Sequence, residues 1–108
     1  MTHSKTKTSF YRRLYVAHLI NSGINTVPQI IELAGMPRRT AQDTITALEE
    51  LAIDCEFIGA KKSGVYKIND WGAINPLWIK KRLKHICDVL AYPPPNKLPV
   101  KAWCSLLQ

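Results

Sequence analysis

In the stretch MPRRTAQDTITALEEL, residues 36–51, Arg38 and Arg39 are followed by Thr40, Gln42, Asp43 and Thr46. A guanidinium fork can bond a phosphate or a guanine edge with two parallel donors, and a glutamine amide can do the same for adenine. A threonine hydroxyl can bond a phosphate oxygen. The spacing therefore suits the recognition of an anion or of base edges. No catalytic set competes with it. The chain carries no Gly-rich phosphate loop, no HExxH and no plausible Ser/His/Asp or Cys/His set, so it is not expected to be an enzyme. Cys55, Cys87 and Cys104 are an odd number without CxxC spacing, which reads as reduced thiols and predicts neither metal nor cofactor. His85 and Cys87 lie two apart on an expected helix and point in different directions.

The 108 residues suit one small domain, with 46% hydrophobic and 21% charged residues as in a folded globular chain. Fifteen Lys and Arg against eight Asp and Glu give a formal charge of +7. That surplus points to an anionic partner, nucleic acid first and a membrane surface second. It is unevenly placed. Residues 1–26 hold Lys5, Lys7, Arg12 and Arg13 and no acid, and residues 76–108 hold six bases against Asp88 alone. The middle, 27–75, has more acids than bases. There is no long apolar run and no signal-like core in the polar start MTHSKTKTS, so no membrane span and a cytoplasmic location are expected.

The elements that must position these residues can be read from caps and periodicity. Ser9 is a candidate cap for a helix to about Asn21, closed by the NSG at 21–23. Its apolar residues wrap most of its circumference, and His18 among them reads as a packing residue. In TVPQIIELAGMP, Thr26 caps, Pro28 fits a first turn, and Gly35 can end a two-turn helix in the left-handed region. Met36 offers an apolar plug, and Pro37 restarts the chain with φ already set. Two helices joined by about three residues containing Gly have helix-turn-helix spacing. The second, 38–51, should bury Ala41, Ile45, Leu48 and then Leu51 or Ala52, turning Arg39, Asp43, Thr46 and Glu50 outward with Arg38 and Gln42 beside them. Residues 55–60 and 65–70 then read as a β-hairpin with Lys61 and Lys62 at its KKSG tip.

A further helix, 76–91, is predicted with Asn75 as cap and Pro76 at its first position. Its stripe is Ile79, Leu83, Ile86, Cys87 and Leu90, with Lys80, Lys81 and Lys84 opposite. Trp78 and Val89 fall outside the stripe and need another cover. PPPNKLP at 93–99 breaks the helix, and Val100, Trp103 and Leu107 make the tail apolar enough to dock on the domain or on a second copy.

Helix, helix, turn, helix, hairpin, helix is the order of a winged helix domain. VPQIIELAGMPRRTAQDTITALEELAI, residues 27–53, resembles that superfamily's helix-turn-helix core through Ile30 and Leu33, Gly35 in the turn, Thr40 early in the second helix, and Ala41, Ile45 and Leu48 facing inward. The whole chain is similar to small bacterial proteins known only through their assignment as winged helix DNA-binding domains. The resemblance implies a mainly α fold with a small β-hairpin: a three-helix core plus wing over 1–75, with an added C-terminal helix and Pro-rich tail over 76–108. It also implies double-stranded DNA as partner, helix 38–51 in the major groove, Thr40 on phosphate and the 61–64 wing on the backbone. Two departures stand out. Ala52 occupies the place where the family often has Gly, and Pro37 the place of a Ser or Thr cap. A left-handed Ala52 would cost roughly 1 kcal/mol, so the helix exit is open to a different shape.

The charge order of helix 38–51 opposes its macrodipole, which favours acids at the start and bases at the end by about 0.3–1 kcal/mol each. For binding, the same order gathers N–H groups, the positive dipole end and two guanidinium forks in one place. The plainer alternative is a solvated face in which Arg39 pairs with Asp43, worth only about 0.3–0.5 kcal/mol. Two functions follow: a transcriptional regulator, homodimeric through the first helix, the 76–91 helix and the tail, or a winged helix protein–protein module that does not bind DNA directly.

Overall fold

The computed structural model describes residues 4–60 and 63–93. Helix α1 spans Lys5–Asn21, and its cap is Ser4, whose Oγ accepts from the Lys7 N–H at 3.0 Å. Ser9, the expected cap, instead lies a full turn inside the helix. Both serines have the right chemistry, and the run between them contains no helix breaker, so the first turn propagates back to Ser4. Helix α2, Val27–Ala34, starts as expected: Thr26 Oγ1 accepts from Gln29 N–H at 3.2 Å, with Pro28 in the first turn. It ends on Gly35 at φ 77°, whose N–H donates to the Ile31 carbonyl at 2.8 Å.

Helix α3 runs Arg38–Ala47 and tightens into a 3₁₀ turn over Leu48–Leu51. The expected single helix 38–51 therefore changes pitch part-way. At its exit Ala52 adopts φ 62°, ψ 21°, so the turn keeps the left-handed shape that glycine takes more readily. Its N–H donates to the Glu49 carbonyl at 2.9 Å, and that of Ile53 to the Leu48 carbonyl at 3.2 Å. Gly72 packs directly on this turn, where an added Cβ would sit 2.6 Å from the Ala52 carbonyl carbon.

Strands β1, Asp54–Ile58, and β2, Val65–Asp70, form an antiparallel hairpin that pairs Glu56 with Lys67 and Phe57 with Tyr66. The Tyr66 N–H donates to the Asn25 carbonyl at 2.8 Å, tying the hairpin to the α1–α2 connection. Asn75 caps the next helix through Oδ1 to the Leu77 N–H at 2.9 Å, with Pro76 in its first turn. The expected helix 76–91 is divided, however, into α4, Pro76–Lys81, and α5, Leu83–Leu90, at Arg82 with φ −111° and ψ 17°. No Gly or Pro marks that break. Ile79 on α4 and Ile86 on α5 are both fully buried, and both short helices pack on α1.

Helix α1 is the axis of the core. Leu14, Tyr15, Val16, Ala17, Leu19 and Ile20 are all buried, and α3, α4, α5 and β2 pack around them. Much of the apolar surface of α1 is thus covered within one chain, while Phe10 and Tyr11 near its start are only partly buried. Trp78 and Leu77 do remain exposed on α4, beside a groove of about 260 Å³ lined by Phe10, Leu14 and Ile74, whereas Val89 is half-buried. The guanidinium of Arg82 covers part of the Trp78 ring at 4.8 Å. The hairpin tip with Lys61 and Lys62, and the tail from residue 94, lie outside the described residues.

Candidate nucleic-acid interface

The start of α3 is built by three adjacent residues. Gly35 turns the chain, Met36 buries its side chain in the core, and Pro37 at φ −62°, ψ 150° leads into the helix without offering a capping side chain. Proline has no hydroxyl or carboxylate to give, so the first-turn N–H groups of α3 receive no cap from it. Arg38, Arg39 and Gln42 all stand exposed at this end. The Arg39 side chain is 93% exposed and meets Asp43 only at 3.9 Å, a loose pair that holds neither side chain firmly.

Of the other expected site residues, Asp43 and Thr46 are also exposed along the outer face of α3. The Thr46 hydroxyl donates to the Gln42 carbonyl at 3.0 Å, which leaves its oxygen free to accept. Thr40 sits differently. It is half-buried in a groove of about 350 Å³ between α1 and α3, with Ser9, Arg12 and Arg13 on the opposite wall. Buried Thr44 beside it is satisfied by its own helix, its hydroxyl donating to the Thr40 carbonyl at 2.7 Å. Lys61 and Lys62 fall outside the described residues.

Glu50 is exposed, as its spacing predicts, but it is not left without a partner. At a constant helical pitch it belongs on the outward face, but it forms an ion pair with Arg13 of α1 at 3.1 Å. The 3₁₀ turn advances about 120° per residue instead of about 100°, so three steps past Ala47 rotate Glu50 by roughly 60° toward α1. Ser9, Arg12 and Arg13 are the wall residues that the sequence reading missed. Their signal was present in the acid-free basic segment 1–26, but assigning Ser9 as a cap placed it outside the helix.

On the other side of α3, a cleft of about 560 Å³ lies against the hairpin, lined by Ile45, Thr46, Glu49, Asp54, Cys55, Phe57 and Tyr66. Burial, with Asp54 next to it, pushes the Cys55 thiol up to about 11, so it stays protonated and unreactive at neutral pH. Cys87 in the core is likewise raised to about 11 by burial and Asp88. His18 is shifted the other way: burial and then Lys80 lower its pKa and favour the neutral ring. Among the described residues no group of three His, Cys, Asp or Glu side chains is placed to hold a metal ion, and no helix is long and apolar enough to cross a membrane.

A helix-turn-helix with a hairpin after its second helix is the geometry now in view, and residues 5–90 match the family described as winged helix-turn helix. The chain belongs to that family. This winged helix protein is also similar to the crystal structure of a DUF2131 family protein from Shewanella amazonensis SB2B, at 30% identity and a TM-score of 0.79. The alignment covers 90% of this chain and 97% of that one. No curated protein matches the sequence. The winged helix fold is compatible with DNA binding, and the similar structure's description names no ligand.

Proposed function

We propose that this winged helix protein binds double-stranded DNA as a small bacterial transcriptional regulator, inserting the start of α3 into the major groove. One observation carries the reading: Arg38 and Arg39 stand exposed at a helix start that has neither a side-chain cap nor an acid in its first turn. Such an end concentrates positive potential where a phosphate or a guanine edge would satisfy it. Arg38, Arg39 and Gln42 contact base edges, Thr40 with Arg12 across its groove contacts the flanking phosphate, and Lys61 and Lys62 on the wing meet the backbone. Asp43 and Thr46, farther along the outer face, lie at the margin of the contact. The acids of the second half of α3 favour an oblique approach, with the helix start deepest and the exit lifted away from the phosphates.

A homodimer would set two such helices in successive major grooves. The exposed Leu77 and Trp78 on α4, beside the groove lined by Phe10 of α1, are the surface that supports this, with Leu77 63% exposed. The experiment that tests the DNA reading is a salt titration of binding to duplexes selected from a random pool. Counterion release predicts a log–log slope of about −0.9 for each phosphate neutralised. Undetectable binding at low salt would overturn it in favour of a protein–protein module. The observation favouring that second reading is the pair of exposed acids Asp43 and Glu49 on the same helix.

A further inference from the structure

The hairpin is a sheet of two strands, so each strand has an outer edge. That of β2 is engaged, because the Tyr66 N–H donates across it to the Asn25 carbonyl at 2.8 Å. The same bond fixes the phase of the hairpin. Tyr66 points its backbone groups away from β1, so Phe57, directly opposite, points its own away from β2. Cys55, two residues earlier, does likewise. Among the described residues no backbone group outside the hairpin bonds Cys55 or Phe57. The edge also lacks the usual protection. DCEFI contains neither Lys nor Pro, and its bulge lies at the first step, between Asp54 and Cys55. Phe57 and Ile58 are each 42% exposed. This open edge borders the cleft of about 560 Å³ against α3, where Ile45, Phe57 and Tyr66 are joined by the exposed acids Glu49 and Asp54. Glu56 stands on the opposite face of β1 and accepts from Asn69 Nδ2 at 2.9 Å. Among the described residues none of these three acids forms an ion pair.

We propose that the outer edge of β1 takes an added strand from a partner protein, an extended segment that alternates apolar and basic side chains. Backbone bonds to Cys55 and Phe57 supply the attachment. In that pairing, the side chains opposite Phe57 enter the cleft, where Ile45 and Tyr66 favour apolar residues. The side chains between them lie beside Glu56, which favours lysine or arginine. A basic residue where the strand passes Asp54 and Glu49 meets the remaining charge. Charge decides against two other occupants. A second copy would bring the same acids to one sheet, and like charges across strands are destabilising. A nucleic acid backbone would be repelled by all three carboxylates. The contact does not rest on the DNA reading, since it uses none of Arg38, Arg39 or Gln42.

The probe is a short synthetic peptide of alternating lysine and valine, added to the full chain while amide hydrogen exchange and amide shifts are followed. Strand addition predicts that the Cys55 and Phe57 amides exchange freely in the protein alone and become protected with the peptide, with shifts at Ile45, Glu49 and Tyr66. Methylating the valine amides removes the donors that face β1, and should abolish the protection while leaving charge and apolar content in place. Glu56→Gln keeps a hydrogen-bonding side chain beside Asn69, and Asp54→Lys replaces an acid that faces Asp70, so both spare the hairpin. Each should weaken binding of the lysine peptide about two- to five-fold. Equal effects of the methylated and unmethylated peptides would reduce the site to charge attraction and overturn the proposal. So would no protection by the lysine peptide, or indifference to both substitutions. Protection of the two amides in the protein alone would overturn it too: dependence on concentration would assign the edge to a second copy, and independence to another part of the same chain.

Discussion

The two ends of α3 are finished in opposite ways. At its exit nearly every group has a partner: Glu50 is paired with Arg13, the Ala52 and Ile53 N–H groups are bonded to the preceding turn, and Gly72 closes over the carbonyl of Ala52. At its start Pro37 provides no cap, and the two arginines project into solvent against the helix dipole. The contrast separates a structural joint from a surface left open for a ligand. A helix end whose own chain does not satisfy it has its donors available to something else. The left-handed Ala52 fits the same division, because the fold accepts a strained residue there to deliver the chain into β1.

The contrast can be broken at either end. The largest effect is expected from replacing both Arg38 and Arg39 with Ala. Affinity for the selected duplex should fall by about 1–3 kcal/mol for each lost base contact, measured by fluorescence anisotropy. Thermal stability should hold or rise slightly, since the removed charges oppose the macrodipole; unchanged binding would mean that the start of α3 is merely solvated. At the exit, Gly72→Ala forces a methyl onto the Ala52 carbonyl at a residue with φ 59°, and should cost about 2–4 kcal/mol in urea unfolding. Ala52→Gly relieves the left-handed strain and should gain about 0.5–1 kcal/mol after the greater entropy of the unfolded glycine is counted. A loss on that substitution would show that the Ala52 methyl makes a contact worth more than the strain.

Smaller effects separate the two acids on the outer side of α3. Glu50→Gln should lower stability by less than about 1 kcal/mol, because Glu50 is largely exposed, and should leave DNA affinity unchanged. Asp43→Asn should do the reverse, leaving stability unchanged and raising DNA affinity a few-fold at low salt, with the gain fading as salt is added. Equal behaviour of the two variants would erase the distinction between the joint and the open surface.

Much of this was legible in the chain itself. Thr26, Pro28, Gly35 and Asn75 act through neighbours within four residues, and the caps they form are those their chemistry predicts. Ala41, Ile45 and Leu48 face the core as their spacing requires. The break at Arg82 left no local mark, since neither Gly nor Pro stands there and the packing of α4 and α5 on α1 joins distant residues. Ser4 and Ser9 are equally good caps by composition, and only continuous helix between them decides for Ser4.

The candidate site divides along the same line. The types and order of Arg38, Arg39 and Gln42, and their place on a second helix after a glycine turn, follow from local sequence, because turn geometry and helical period act over a few residues. That Thr40 looks into a groove walled by Ser9, Arg12 and Arg13, that Glu50 pairs with Arg13, and that most of the apolar surface of α1 packs within one chain were decided by tertiary packing alone. Those contacts join residues about thirty to eighty positions apart, and no local preference encodes which distant surface a helix face will meet.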